Sequence, residues 1–264
     1  MAKYGICNLS VIPCREEPSD KSQMVTQLLF GESFEILAKR KHWRQIRNGL
    51  DGYESWIDEK QFIEIDANAF EALNKKMPVC ASDLVQLVKH ERSGIMLPVV
   101  AGSSLPNYHQ GHIAFGNESY EFDGEINHPP ESETDETRKQ LADLAMVFRN
   151  APYLWGGRSP FGIDCSGLMQ VLYKMVGVAL KRDAYQQAEE GQTLSFVEEA
   201  DIGDLAFFDN DEGKIIHVGM MVGENAIIHA SGKVRIDKLD HQGIFNVDTG
   251  LYSHKLRLIR RVLD

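Results

Sequence analysis

The sequence predicts an α+β protein, with short strands in its N-terminal part and helices followed by strands in its C-terminal part. Over residues 1–65, apolar residues alternate and tight turns interrupt them, as at Asp51-Gly52, a pattern typical of small β-barrels. After residue 131, apolar residues first recur at three- and four-residue spacing, which indicates helices, and then form strand-like runs.

Size and composition indicate a globular protein of two or three domains. The chain has 264 residues, more than one typical domain, and its 43% hydrophobic and 25% charged residues can form a real core. A net charge of −11 makes nucleic acid or an anionic membrane an unfavourable partner. Nowhere does an apolar run reach the length that a membrane span needs.

The cysteines give no sign of a metal site. Cys7, Cys14, Cys80 and Cys165 form no C-x-x-C pair and no spacing typical of zinc, so we predict no metal and no cofactor. Sparse cysteines fit a reducing compartment, and Met1–Ser10 lacks the apolar segment of a secretory signal. We therefore expect a cytoplasmic location, or the periplasm or cell envelope if a signal peptide has been removed.

Changes in pattern divide the chain into domains. Two prolines after His128 mark the start of the last domain, where Ser132 and Asp135 resemble a capping box ahead of a first helix with Leu141 on its apolar face. We predict four segments: residues 1–65, a first small β domain; residues 66–81, a linker with a short helix over Ala67–Leu73; residues 82–130, a second small β domain; and residues 131–264, an α+β domain whose final strand is His254–Val262.

Cys165 is the candidate nucleophile. The stretch Ala151–Leu168 is rich in glycine and proline, and after Cys165 apolar residues recur at helical spacing, so a helix is expected to begin near Cys165. Asp164 or Ser166 can cap this helix. A lone cysteine is most often an inert buried thiol, but unpaired backbone N–H groups and the helix dipole at this position favour a thiolate.

Two histidines supply a candidate base and a partner for it. Ile215–Val222 and Ala226–Ala230 have the pattern of strands, and the segment between them has the pattern of a hairpin turn. His217 and His229 are therefore expected to lie side by side on paired strands. A cysteine at a helix start with two such histidines is the arrangement of a thiol protease: nucleophile, base and orienting group.

At this point the sequence resembles the NlpC/P60 cysteine peptidases. The resemblance covers about residues 134–264 and rests on an ordered set of motifs: Tyr153-Leu-Trp-Gly-Gly157, Asp164-Cys-Ser-Gly-Leu168, Gly203-Asp-Leu-Ala-Phe-Phe208, His217-Val-Gly219 and His229-Ala230. It implies a papain-like fold and cleavage of peptidoglycan stem peptides between γ-D-glutamate and the diamino acid, by an endopeptidase of the dipeptidyl-peptidase type. It also implies that Cys165, His217 and His229 form the catalytic triad.

The N-terminal segment resembles the bacterial SH3-like (SH3b) domains that precede such peptidases. Its motifs are Gly31-Glu32, Trp43, Gly52-Tyr53 and Trp56-Ile57, and residues 82–130 are interpreted as a divergent second copy. The fold class implied is α+β, a papain-like NlpC/P60 domain preceded by two small SH3-like β-barrel domains.

The resemblance also implies a substrate pocket. In members specialised for free peptides, a tyrosine matching Tyr53 reaches into the peptidase cleft, and an aspartate matching Asp183 pairs with the substrate α-ammonium. Some members have an acidic residue before a Thr-Gln pair, where this chain has Val25, and we do not assign that role to Glu16 or Glu17. The other predicted contacts are Asp164, Ser166 for the D-glutamate carboxylate, Trp155 as a wall of the cleft, and the Tyr153 hydroxyl as a candidate oxyanion donor.

These features favour a free stem peptide as the partner, L-Ala-γ-D-Glu followed by L-Lys or meso-diaminopimelate, and a role in murein peptide recycling. One alternative is a wall-lytic endopeptidase that acts on intact peptidoglycan, anchored by its SH3b domains. A second is a non-catalytic wall-binding or adaptor protein, and a third is a CHAP-type amidase, which shares the order of Cys and His.

Overall fold

The structure is a computed structural model that describes residues 3–130 and 135–263. Ser132 of the predicted capping pair lies outside the described residues. None of the helices in the described part of the chain is long and apolar enough to cross a membrane.

The first seven strands form one antiparallel sheet with its own core. In β2 the alternating side chains of Ile12 and Cys14 point inward and pack with Phe34 and Ile57. The Asp-Gly turn predicted from the sequence joins β5 to β6, and Gly52 adopts a φ of 74°, which favours glycine. The strands are β1 (Tyr4–Ile6), β2 (Val11–Arg15), β3 (Met24–Leu29), β4 (Ser33–Arg40), β5 (Trp43–Asn48), β6 (Glu54–Asp58) and β7 (Ile63–Ile65), in the order β3-β2-β6-β5-β4-β1-β7.

A short helix leads into a second, smaller β unit. Helix α1 (Ala67–Asn74) begins after Asp66, whose side chain accepts a hydrogen bond from the Ala69 amide. The second unit shares a hydrophobic cluster with the first, because Phe30 packs with its residues Val88 and Tyr120. Its strands are β8 (Cys80–Ala81), β9 (Val85–His90), β10 (Met96–Val100), β11 (His112–Phe115), β12 (Glu118–Phe122) and β13 (Ile126–Asn127); β10-β9-β12-β11 form one sheet and β13-β8 another.

The C-terminal part contains the helices predicted by the apolar spacing. Helix α2 (Asp135–Val147) packs against helix α3 (Cys165–Met175), with Leu141 and Leu168 in the largest hydrophobic cluster. A single turn, α4 (Ala184–Gln187), follows.

Six strands close on themselves beside α3. Strand β22 pairs with both β17 and β21, so that β17 to β22 form a closed antiparallel sheet. The last strand begins at Leu251, three residues before the predicted start at His254, because Leu251 and Tyr252 pair with β21. The remaining elements are β14 (Arg158–Ser159), β15 (Gly162–Ile163), β16 (Gln192–Leu194), a 3-10 turn (Val197–Glu199), β17 (Leu205–Asp209), β18 (Ile215–Gly223), β19 (Ala226–Ser231), β20 (Lys233–Asp240), β21 (Gly243–Asn246) and β22 (Leu251–Arg261).

Candidate active site

Cys165 is the first residue of α3, as the sequence predicts. Asp164 caps the helix, and its Oδ1 accepts a 2.7 Å hydrogen bond from the Gly167 amide. The thiol lies against the backbone N–H groups of Ser166 and Val218, which lower its pKa, and Val218 directly follows His217.

Burial of the Cys165 thiol outweighs these N–H groups. Burial and the charge of Asp164 raise the pKa of Cys165 to about 12. The prediction of a thiol made acidic by the helix start is therefore wrong for the substrate-free protein, because the prediction did not include the cost of desolvating a thiolate in the core. A protonated thiol needs a base before it can attack.

His217 on β18 and His229 on β19 lie within hydrogen-bond distance, as expected from the hairpin. His217 Nε2 is 2.9 Å from His229 Nδ1, and His229 Nε2 is 3.0 Å from the Oδ2 atom of Asp237 on β20. Hydrogen bonds from His229 and Arg235 outweigh burial and hold the pKa of the Asp237 carboxyl well below its usual range. We call His217, His229 and Asp237 the histidine row.

The histidine row fixes which nitrogen carries each proton. Ionised Asp237 can only accept, so His229 donates to it from Nε2 and, when neutral, accepts at Nδ1. His217 therefore donates from Nε2, which leaves its Nδ1 lone pair free as a base. Burial, together with His254 and His229, lowers the pKa of His217 well below its usual value, so its neutral form persists into mildly acidic solution.

Two residues of this region were not predicted as part of the site. Asp237 lies eight positions after His229, and the only signal was the alternation of strand β20. His254 stacks on His217 with ring centroids 4.2 Å apart, and burial lowers its pKa to about 4. His217, His229 and His254 each place one ring nitrogen within 4.8 Å of the others, a set that can hold a metal ion.

A cleft of about 410 Å³ gathers most of the predicted site residues. His217 and His229 do not line it themselves; His217 directly follows Ile216, which does. Among the residues lining the cleft, those predicted from the sequence are Tyr53, Tyr153, Trp155, Asp164, Cys165, Ser166 and Asp183.

The end of the cleft formed by Tyr53 and Asp183 is acidic. Burial, with the nearby Asp183 carboxylate, raises the pKa of Tyr53 to about 12, so Tyr53 keeps its proton. Asp183 is half-buried and hydrogen-bonds to Tyr185, and burial raises its pKa. Glu16 also lines the cleft, which the sequence did not indicate, because the turn that brings the end of β2 here depends on the tertiary fold.

Asp164 lines the cleft, and its carboxylate is hydrogen-bonded within the protein. Its carboxylate accepts hydrogen bonds from the Gly156 and Gly167 amides and from two nitrogens of Arg182, at 2.6 and 3.1 Å. Through these hydrogen bonds Asp164 positions α3 and Arg182, and its contact with substrate stays a prediction. Arg182 in turn donates a 3.0 Å hydrogen bond to the Ser166 hydroxyl.

Tyr153 and Trp155 form the other side of the cleft. Burial and the nearby Cys165 and Asp164 raise the pKa of Tyr153 to about 12, so its hydroxyl remains a hydrogen-bond donor beside the thiol. Trp155 is 60% exposed at the rim, a position from which it can cover a bound ligand.

Comparisons with known proteins identify the C-terminal part. Residues 150–251 match the NlpC/P60 family, and residues 14–62 match the bacterial dipeptidyl-peptidase Sh3 domain. The chain carries an NlpC/P60 domain behind a bacterial SH3 domain. It is a cysteine peptidase, and its fold is the predicted one, α+β with SH3-like β domains in front of the NlpC/P60 domain.

Individual relatives cover most of the chain. The γ-D-glutamyl-L-lysine dipeptidyl-peptidase of Bacillus subtilis (strain 168) is 29% identical over 251 residues, which are 86% of this chain and 75% of the relative. Dipeptidyl-peptidase 6 of Lysinibacillus sphaericus is 28% identical over 249 residues, 86% of this chain and 88% of the relative. The crystal structure of an NlpC/P60 family protein from Bacillus cereus ATCC 10987 superposes with a TM-score of 0.80 at 21% identity, covering 99% of this chain and 100% of that one.

The NlpC/P60 domain is joined to the first SH3-like domain by buried polar contacts. Arg158 Nη1 and Nη2 donate to the two carboxylate oxygens of Glu32 at 2.7 and 2.9 Å, and Lys174 of α3 donates to the same carboxylate at 2.7 Å. We call Glu32, Arg158 and Lys174 the interdomain ion cluster. The backbone also fits closely: a Cβ at Gly156 would lie 2.5 Å from the Met24 carbonyl oxygen.

A further contact between the two domains positions Tyr53. Asp51 accepts a 2.6 Å hydrogen bond from Gln170 of α3 and a 2.8 Å bond from the Tyr53 amide. The helix that begins at Cys165 therefore also holds the turn that carries Tyr53.

Proposed function

We propose that this protein hydrolyses the bond between γ-D-glutamate and the L-diamino acid of peptidoglycan stem peptides with a free N-terminal L-Ala, and releases L-Ala-γ-D-Glu. The observation that carries the proposal is the cleft that places Tyr53 of the first domain and Asp183 beside Cys165. Relatives named γ-D-glutamyl-L-lysine dipeptidyl-peptidase support the bond class.

The acidic end of the cleft supports recognition of a free amine. Asp183 is half-buried, so a substrate ammonium would meet a carboxylate of reduced hydration, which strengthens a charge-assisted hydrogen bond. An acylated terminus carries no charge and would leave this carboxylate without the charge-assisted hydrogen bond that an ammonium supplies. Glu16 adds negative charge in the same cleft.

The chemistry begins with both reacting groups neutral. His217 accepts the Cys165 proton at Nδ1 as the sulfur attacks the γ-carbonyl carbon of D-glutamate, and His229 and Asp237 stabilise the imidazolium. The Cys165 amide and the Tyr153 hydroxyl donate to the oxyanion. The tetrahedral intermediate collapses to a thioester, the amine of the diamino acid leaves with the proton from His217, and water activated by His217 then releases the dipeptide and free Cys165.

The test compares the hydrolysis of three peptides by the purified protein. We expect hydrolysis of L-Ala-γ-D-Glu-L-Lys or its meso-diaminopimelate equivalent, measured as the release of L-Ala-γ-D-Glu. The kcat/KM for the N-acetylated peptide should be much lower. Asp183→Asn should reduce that preference by about 10–100-fold, the value of one hydrogen bond to a charged group.

Equal rates of hydrolysis of the free and acetylated peptides would overturn the proposal that the cleft recognises a free N-terminal amine. Release of stem peptides from intact peptidoglycan at comparable rates would instead favour the wall-lytic alternative. Cys165→Ala is the control for both assays and should abolish turnover while the circular dichroism spectrum is unchanged.

A further inference from the structure

Three histidines cluster at one end of the closed sheet. His217, His229 and His254 come from β18, β19 and β22, and one ring nitrogen of each lies within 4.8 Å of the others. The triad uses two of these histidines, and the third has no role in the proposed reaction.

The hydrogen bonds indicate which nitrogens remain for a ligand. Asp237 engages Nε2 of His229, and the Ser253 hydroxyl lies 2.9 Å from Nδ1 of His254. Nδ1 of His229 and Nε2 of His217 already lie 2.9 Å apart. Among the hydrogen bonds of the described residues, none involves Nε2 of His254.

The surroundings of His229 are those of a metal ligand. A metal-binding histidine typically donates its second ring N–H to a carboxylate, which fixes its orientation. Asp237 takes this position for His229 and is itself held by Arg235 at 2.6 and 2.9 Å. Imidazole nitrogen suits Zn²⁺, which commonly takes three protein ligands and one water.

One ring must turn to complete the set. His217 and His254 are stacked with 21° between their planes, so their lone pairs run side by side and do not converge. His254 is only partly buried, whereas His217 and His229 are 5% and 1% exposed. Rotation of the His254 ring directs its Nε2 toward the other two nitrogens.

We propose that His217, His229 and His254 bind Zn²⁺ and that the ion reversibly inhibits the peptidase. Zn²⁺ takes the place of the proton between His217 Nε2 and His229 Nδ1, and that proton moves to Nδ1 of His217, so the step involves a change of tautomer without net proton release or electron transfer. A neutral imidazole with zinc on Nε2 carries its proton on Nδ1. His217 then has no lone pair with which to accept the thiol proton.

The competing arrangement is zinc on the Cys165 thiolate, and two variants separate the two sites. Calorimetric titration with ZnCl₂ should give one ion per chain for wild type and the same affinity for Cys165→Ala. His254→Phe, which keeps a stacked ring without a ligand atom, should weaken binding about tenfold or more. His241→Asn removes an exposed histidine outside the cluster and should change nothing.

Two further measurements complete the test. The Zn²⁺ concentration that halves peptide hydrolysis, measured for each variant against its own metal-free rate, should rise about tenfold or more in His254→Phe. Co²⁺ bound to wild type should show no thiolate-to-metal charge-transfer band. Binding that is lost in Cys165→Ala and kept in His254→Phe would overturn the proposal, and so would the absence of binding by wild type; His254→Gln replaces His254→Phe if the latter does not fold.

Discussion

Two buried polar clusters of the molecule differ in charge: one joins the two domains, and the other contains the candidate base His217. In the interdomain ion cluster, Arg158 and Lys174 oppose the cost of burial and lower the pKa of Glu32 to about 2, so Glu32 stays ionised. In the histidine row, burial keeps His217 neutral beside His229. Permanent charges hold two domains together, whereas proton transfer needs a neutral group that can gain a proton during the reaction.

The comparison predicts that, among the changes considered, His217→Asn has the largest effect, a loss of kcat. Without the base, the buried thiol keeps its proton, and kcat should fall by roughly 10²–10⁴. The free energy of unfolding should fall by about 1–3 kcal/mol, because buried His229 Nδ1 loses its donor. Steady-state kinetics on L-Ala-γ-D-Glu-L-Lys and urea denaturation measure the two quantities. A kcat close to that of the His241→Asn control would exclude His217 as the base.

Glu32→Gln should have the next largest effect, on stability. The substitution leaves Arg158 and Lys174 buried without a counter-charge, which should lower the free energy of unfolding by about 3–5 kcal/mol. Urea denaturation measures this. Glu54→Gln, which breaks an exposed pair with Arg47, is the matched control and should cost less than about 1 kcal/mol. Equal costs for the two variants would contradict the comparison.

Lowering the pH should reproduce part of the loss of stability expected for Glu32→Gln. The folded pKa of Glu32 lies below its ordinary value of 4.5, at about 2, so its contribution is fully present above pH 4.5 and is lost as pH falls through 2. The shift corresponds to about 3 kcal/mol. The difference in unfolding free energy between wild type and Glu32→Gln should shrink over this range, and a constant difference would show that Glu32 is not stabilised as a carboxylate.

Asp237→Asn should have the smallest effect of the four and should act through His229. Asn can accept from His229 but carries no charge to stabilise the imidazolium, so kcat should fall about 10–100-fold with KM nearly unchanged. Because Asp237 positions another residue, the pH profile of kcat is the decisive measurement: the acid limb should move relative to wild type. A lower stability with an unchanged profile would indicate a purely structural role.

Local features of the active site could be predicted because short stretches of chain determine them. Asp164 caps the helix that begins at Cys165 because a carboxylate just before an apolar helix satisfies its first amides. His217 and His229 meet because one short hairpin fixes the register of β18 and β19. The family motifs lie in these same stretches.

The tertiary structure decided the rest. His254 reaches His217 only because β22 closes the sheet by pairing with β17 and β21. The Arg182–Asp164 pair and the entry of Glu16 into the cleft depend on elements brought together by the whole fold.

The sequence by itself determined the order of the domains, the start of α3 and the pairing of two histidines, since capping and hairpin register are properties of neighbouring residues. Only the tertiary structure decided the charge state of Cys165 and His217. Desolvation depends on every segment that packs over a group, and no local pattern at Cys165 or His217 contains that information.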